Sequence, residues 1–173
     1  MPRVPKKKSA RQLTREIAEA LSRPGRVDGG KGGTPSSNEA RMVQVTKDRV
    51  HEPLIGERII RSEPVYVELL KGRPEEWKLV FTRGKNYGGA QSGRILITLG
   101  GTDDPLAGLA YSIEYERPYV HHFWVDPDAR RRGLTQVLFD AYRSEVSPEL
   151  VVVGPFTRGG RAAAERAGAT IED

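Results

Sequence analysis

From residue 94 onward the apolar and polar positions fall into clear periods. Residues 94–99 form a short apolar run, Gly100, Gly101, Thr102, Asp103, Asp104 and Pro105 are turn formers, and residues 109–115 alternate. This predicts two strands, paired antiparallel. Residues 119–125, rich in aromatic and β-branched side chains, predict a third strand after Arg117 and Pro118. Beyond Gly133 the period changes. Leu134, Val137, Leu138, Ala141 and Tyr142 fall on one helical face. Residues 149–153 read as a buried strand. Residues 159–167 read as a second helix, ended by Gly168 in the usual C-terminal glycine position. Strands followed by alternating helix and strand predict an α/β fold with a mixed central sheet flanked by helices.

The pattern is weaker upstream. Residues 42–45 and 54–60 are short apolar patches, and residues 65–70 suit either a strand or a helix. Pro74, Glu75 and Glu76 suit a helix start, because proline fits the first turn and acids fit the positive end of the helix dipole. A helix from there to about Thr82 would bury Trp77, Leu79 or Val80, and Phe81. Gly88, Gly89 and Ala90 mark a loop. Residues 1–8 are basic and are expected to be disordered. Ser9 and Gln12 have capping-box spacing, and Leu13, Ile17 and Leu21 predict a short helix that Pro24 and Gly25 end. Residues 24–38 read as a flexible linker. The expected division is therefore a tail, short helix and linker over 1–39 and one domain over 40–173.

Composition narrows the function classes. The chain has 173 residues and no cysteine, which excludes a disulfide framework and a thiolate metal site. Three histidines, two of them adjacent, make a poor ligand set, so no metal is expected. No apolar run approaches the roughly 20 residues that span a bilayer, and the basic N-terminus has no apolar stretch behind it. The expectation is a soluble, cytoplasmic protein without membrane contact. The net charge of +5 is unevenly held: residues 1–33 carry +6 and the remainder −1. Gly25, Gly30 and Lys31 mimic part of a phosphate-binding P-loop, but Gly32 stands where serine or threonine must hold magnesium, and no apolar strand precedes it.

The most informative segment is Val125, Asp126, Pro127, Asp128, Ala129, Arg130, Arg131, Arg132, Gly133 and Leu134. An apolar strand stops, a basic loop follows, and an amphipathic helix begins. The first amides of a helix lack intrahelical partners, its dipole favours anions there, and glycine lets a phosphate approach the backbone. Arg130, Arg131 and Arg132 raise the local potential, so the segment reads as an anion site; a solvated connecting loop is the alternative. Val125, Pro127, Arg130 and Gly133 also match, at the right spacing, the cofactor-loop pattern Val-x-Pro-x-x-Arg/Gln-x-x-Gly-x-Gly/Ala. The segment thus resembles the GNAT superfamily of acyl-CoA-dependent N-acyltransferases, with Thr135 departing at the last position. The resemblance covers residues 94–171, the cofactor-binding half of the expected domain.

This resemblance implies a GNAT-like sheet with shortened C-terminal strands. It implies that acetyl-CoA, or another acyl-CoA, is held through its pyrophosphate by the amides of Arg131, Arg132, Gly133, Leu134 and Thr135. The backbone of Phe123, Trp124 and Val125 would pair with the pantetheine arm where the strand splays from its neighbour. An amine-bearing acceptor would attack the thioester directly. A base is then required. His121 and His122 lie on the strand before the loop, and simple alternation sends them to opposite faces, so at most one meets the acyl centre. Some family members place a histidine base at the position of His121. Glu114 and Glu116 are the carboxylate alternatives. The family's usual tyrosine acid is replaced by Ala164, and its frequent asparagine before that helix by Thr157. Tyr111, Tyr115 or Tyr119 are the substitutes at hand, whereas Tyr142 belongs to the apolar helix face. Only residues 170–172 remain for the closing strands, so the acceptor side would be incomplete, or built by residues 40–90 or by a second subunit of a homodimer. The rival reading is a nucleic-acid-associated protein, with residues 1–33 contacting phosphates and a degenerate or nucleic-acid-modifying core. The absence of aromatics in that tail weighs against base stacking.

Overall fold

A computed structural model describes residues 37–65, 77–100 and 102–173. Helix α1 (Ser37–His51) is followed by five strands: β1 (Ile55–Pro64), β2 (Trp77–Lys85), β3 (Gln91–Leu99), β4 (Pro105–Glu114) and β5 (Arg117–Val125). A single 3-10 turn (Pro127–Ala129) leads to helix α2 (Leu134–Glu145), strand β6 (Val151–Val153), helix α3 (Arg158–Arg166) and strand β7 (Thr170–Glu172). The seven strands form one mixed sheet in chain order. β1 to β5 are antiparallel neighbours, and β6 and β7 add in parallel. Both parallel connections are helical, as parallel strands require.

The two faces of the sheet differ. Trp77, Leu79 and Phe81 of β2, Ile95 and Ile97 of β3, and Leu109 and Tyr111 of β4 pack with Leu134, Leu138, Phe139 and Tyr142 of α2. This is the main apolar core. The opposite face carries a smaller cluster of Val50, Val80, Leu96 and Trp124 beneath α1. It also carries buried polar groups. Arg94 is 1% exposed and engages Glu57 of β1 side-on through Nε and Nη2, with Nε to Oε2 at 2.6 Å. Its Nη1 donates to the Val50 carbonyl at 2.8 Å, in the last turn of α1. Thr82 Oγ1 donates to Glu57 at 2.8 Å.

The elements from residue 94 onward agree with the hydrophobic pattern to within a few residues, and the C-terminal strands are short. Two upstream expectations are corrected, and two apolar patches find their elements. Residues 77–82 are strand, not helix: Trp77, Leu79 and Phe81 face α2 while Val80 and Thr82 face α1, so the run is apolar because both faces are covered. The patch at 42–45 belongs to α1. That helix begins at Ser37, inside the stretch read as linker. Residues 54–60 open the edge strand β1. The expected helix after Ser9, the P-loop mimic, residues 66–70 and the Pro74 helix start lie outside the described residues.

Removing one partner of a buried ion pair leaves the other charge uncompensated. Glu57→Ala is expected to destabilise the fold by about 3–5 kcal/mol, read by urea unfolding. Arg94→Met combined with Glu57→Leu should cost less than Glu57→Ala alone. A single-variant loss below about 1 kcal/mol, the scale of an exposed pair, would remove Arg94 from its organising role.

Candidate anion loop and histidine pair

β5 ends at Val125, where the Arg130 side chain donates from Nε to the Val125 carbonyl at 3.2 Å. Asp126 caps the 3-10 turn, accepting from the Asp128 amide at 3.0 Å. Arg130 therefore secures the loop, and exposed Arg131 adopts a positive φ of 64°. Gly133 is the N-cap of α2, with φ 77° and no side-chain cap. Left-handed residues at 131 and 133 fold the backbone into a concave turn of the kind that receives anions. The first amides of α2, beginning with Leu134 and Thr135, have no intrahelical acceptor and no capping side chain. Arg132 is half-buried, and its Nε is buried without a hydrogen-bond partner.

β5 is also released from β6 at this end. The two strands share one bridge, Val120 to Val152, whereas β4 stays paired with β5 up to Val125. β6 instead continues with β7, the Gly154 amide donating to the Glu172 carbonyl at 2.8 Å. Phe123 turns toward α2, its ring 5.1 Å from that of Phe139. Trp124 turns toward α1, edge-on to His51 at 4.8 Å and beneath the Lys47 ammonium at 5.6 Å.

The histidines depart from simple alternation. Ala110 pairs with His122 but Tyr111 pairs with Val120, so His121 is an extra residue in β5. This bulge brings both rings to the α1 side, with centroids 4.9 Å apart. The expectation of opposite faces is thereby corrected. His121 Nε2 lies 3.1 Å from Ser112 Oγ, which also meets Ser92 Oγ at 2.9 Å. His122 Nδ1 lies 2.6 Å from the His121 carbonyl oxygen. A carbonyl only accepts, so Nδ1 carries the proton and Nε2 holds the lone pair. Burial, Arg49 of α1 and, for His122, the neighbouring His121 push both imidazoles down, opposed at His121 by Glu114: to about 4 at His121 and about 3 at His122. Both rings are neutral at neutral pH.

The other expected participants scatter. Tyr119 is half-buried with its ring 6.0 Å from His121, and burial followed by a hydrogen bond to Glu114 raises its pKa. Tyr115 and Glu116 form the exposed β4–β5 turn with φ of 51° and 62°, and Glu114 is exposed beside them. Tyr111 is buried on the α2 face, and Tyr142 and Ala164 are fully buried in the core. Thr157 caps α3, accepting from the Gly160 amide at 3.0 Å. Arg49 and His51 had no signal of their own in the sequence, because their helix was not legible there. Among the described residues no cluster of three metal-ligating side chains occurs, and no helix is long and apolar enough to cross a membrane.

The depressed imidazoles set a direction for stability against pH. Between the ordinary value near 6.5 and the folded values, the unfolded chain binds protons that the folded chain refuses. Their contribution is fully present above pH 6.5 and is lost as pH falls toward 4 and then 3. The urea midpoint should therefore drop between pH 7 and pH 4.5, and the His121→Asn/His122→Asn protein should drop less. Equal drops in the two proteins would show that other groups govern acid sensitivity.

Comparison with models of protein families, with curated proteins and with solved structures gives no match for this chain.

Proposed function

We propose that the protein is an acyl-CoA-dependent N-acyltransferase of GNAT type. The observation that carries this reading is the release of β5 from β6 beyond Val120, directly beneath a left-handed arginine–glycine turn that opens α2. An unpaired strand edge offers backbone groups to an amide-containing arm. The turn above it suits a pyrophosphate, and the unpartnered Nε of Arg132 is a further donor at hand. In this reading the anion is held by the amides of Arg131, Arg132, Gly133, Leu134 and Thr135. The pantetheine arm lies along Phe123, Trp124 and Val125. Arg130 acts through the loop, since its side chain is engaged with the Val125 carbonyl.

The chemistry is direct aminolysis. The amine nitrogen forms a bond to the thioester carbonyl carbon, the carbon–sulfur bond breaks, and the departing thiolate takes up a proton. The amine loses its proton to a base. The side-by-side histidines supply it: His122 presents an Nε2 lone pair fixed by its Nδ1 bond, and His121 joins the Ser112 hydroxyl. Both rings are neutral at neutral pH and so have a lone pair with which to accept the proton. Tyr119 is the tyrosine beside His121, and it offers a hydroxyl for the thiolate.

Calorimetry with acetyl-CoA should show binding in the tens-of-micromolar range or tighter, about −6 kcal/mol or better. Arg132→Glu and Gly133→Asp should each weaken it by at least about tenfold. Normal CoA binding by both variants would discard the loop assignment. With an acceptor found by screening amines for thiol release, His121→Ala/His122→Ala should lower kcat by about 10²–10⁴ with CoA affinity preserved.

A further inference from the structure

At the far end of the sheet from the arginine loop, the α2 face bears a second cationic site. Arg58 of β1 and Arg83 of β2 are direct cross-strand partners, and both are exposed. Like charges placed opposite each other in a sheet repel, so the pairing costs stability and packing gives no reason for it. Lys85 lies two residues beyond Arg83 on the same strand face. All three cations line one cavity of about 390 Å³, floored by Tyr111 and Ile113 of β4. Among the described residues, no acidic side chain lines this cavity, and none forms an ion pair with Arg58, Arg83 or Lys85. Among the described residues, two carboxylates of the adjoining elements are engaged elsewhere. Glu57 holds Arg94 on the opposite face, and Glu145 holds Arg61 at 2.7 Å.

The floor is shaped for contact. Gly93 sits opposite both Arg83 and Tyr111 in the ladder, and a Cβ at Gly93 would run into the Tyr111 ring and hydroxyl. The tyrosine therefore lies across the glycine, toward the β2 arginine. Burial raises the Tyr111 pKa while the adjoining Arg83 draws it back. Two guanidinium forks, an ammonium and a phenol thus converge on a space larger than one oxyanion, with Ile55 and Ile113 as apolar wall.

We infer that the Arg58–Arg83–Lys85 cavity binds a phosphate monoester: a doubly charged oxyanion between the arginines, with a small apolar body against Ile113. Arginine pairs recognise such groups through two parallel hydrogen bonds each, and a dianion removes the repulsion that the cross-strand pair otherwise carries. The site stands independently of the acyltransferase reading. It lies at the Ile55, Lys85 and Gln91 end of the sheet, whereas Val125 and the arginine loop lie at the other.

The full chain, labelled with ¹⁵N, is titrated with inorganic phosphate and with phenyl phosphate, and amide shifts are followed. Shifts should centre on Arg83, Gly84, Ser92 and Gly93, with phenyl phosphate binding more tightly than phosphate and phenylacetate, a monoanion, more weakly than either. Arg83→Gln should lower phenyl phosphate affinity by about tenfold or more. Arg58→Gln without ligand should match or exceed the wild-type melting temperature, because it removes a like-charge pair. Phosphate should raise the melting temperature of the wild type but not of Arg58→Gln/Arg83→Gln. The inference is overturned by shifts confined to Arg131, Gly133 and Leu134, by none at about 10 mM phosphate, a level well above a millimolar Kd, or by affinity that Arg83→Gln leaves unchanged. A clear loss of stability in ligand-free Arg58→Gln would likewise overturn it, by making the arginine pair structural.

Discussion

The protein is organised around one buried cation. Arg94 reaches across β2 to Glu57 on the edge strand and down to the Val50 carbonyl at the end of α1. The Glu57 carboxylate also accepts from Thr82 of β2, so one ion pair joins three strands and a helix. It matters because two of the elements it joins, α1 and β1, bury few side chains of their own. Val50 is the one fully buried side chain of α1, and β1 has no buried residue along its length. A free carbonyl at a helix C-terminus is a natural acceptor for a cation, which is why the guanidinium can fix the helix end as well as the strand.

That anchoring has consequences for the histidines. α1 is the element that brings Lys47, Arg49 and His51 against β5. Beneath α2 the sheet is filled with apolar side chains, whereas the α1 side holds serine, threonine, histidine and the ion pair. The histidine pair lies on the α1 side, where polar groups have hydrogen-bond partners. The bulge at His121 is what delivers both imidazoles to it, and a regular strand would have sent one of them into the core.

The sequence was most readable where burial is one-sided or periodic. α2 announces itself because its buried residues fall on one face, and β4 and β5 because turn formers bound runs rich in β-branched and aromatic side chains. β2 misled because a strand covered on both faces loses alternation, and Pro74, Glu75 and Glu76 supply a helix-start composition just before it. α1 is too polar to show a stripe. The Arg94–Glu57 contact spans 37 residues and has no local signature. Likewise a bulge is a property of register between two strands, so no spacing within residues 117–125 could place His121 and His122 together. The glycine and arginines at 130–133 were legible as a loop, but the engagement of Arg130 with Val125 depends on the path the loop takes.

The sheet order, β1 through β7 without interruption, has a bearing on how such a chain can be assembled. Every strand pairs with the strand before it in the chain, so none must be threaded between two that are already joined. Each new strand finds its place on a free edge, in the order in which synthesis delivers it. The first four pairings, all antiparallel, close locally, and the later parallel ones wait only for a helix to cross back. A chain built this way can put the parting of β5 and β6 at its first parallel seam without disturbing what was laid down earlier.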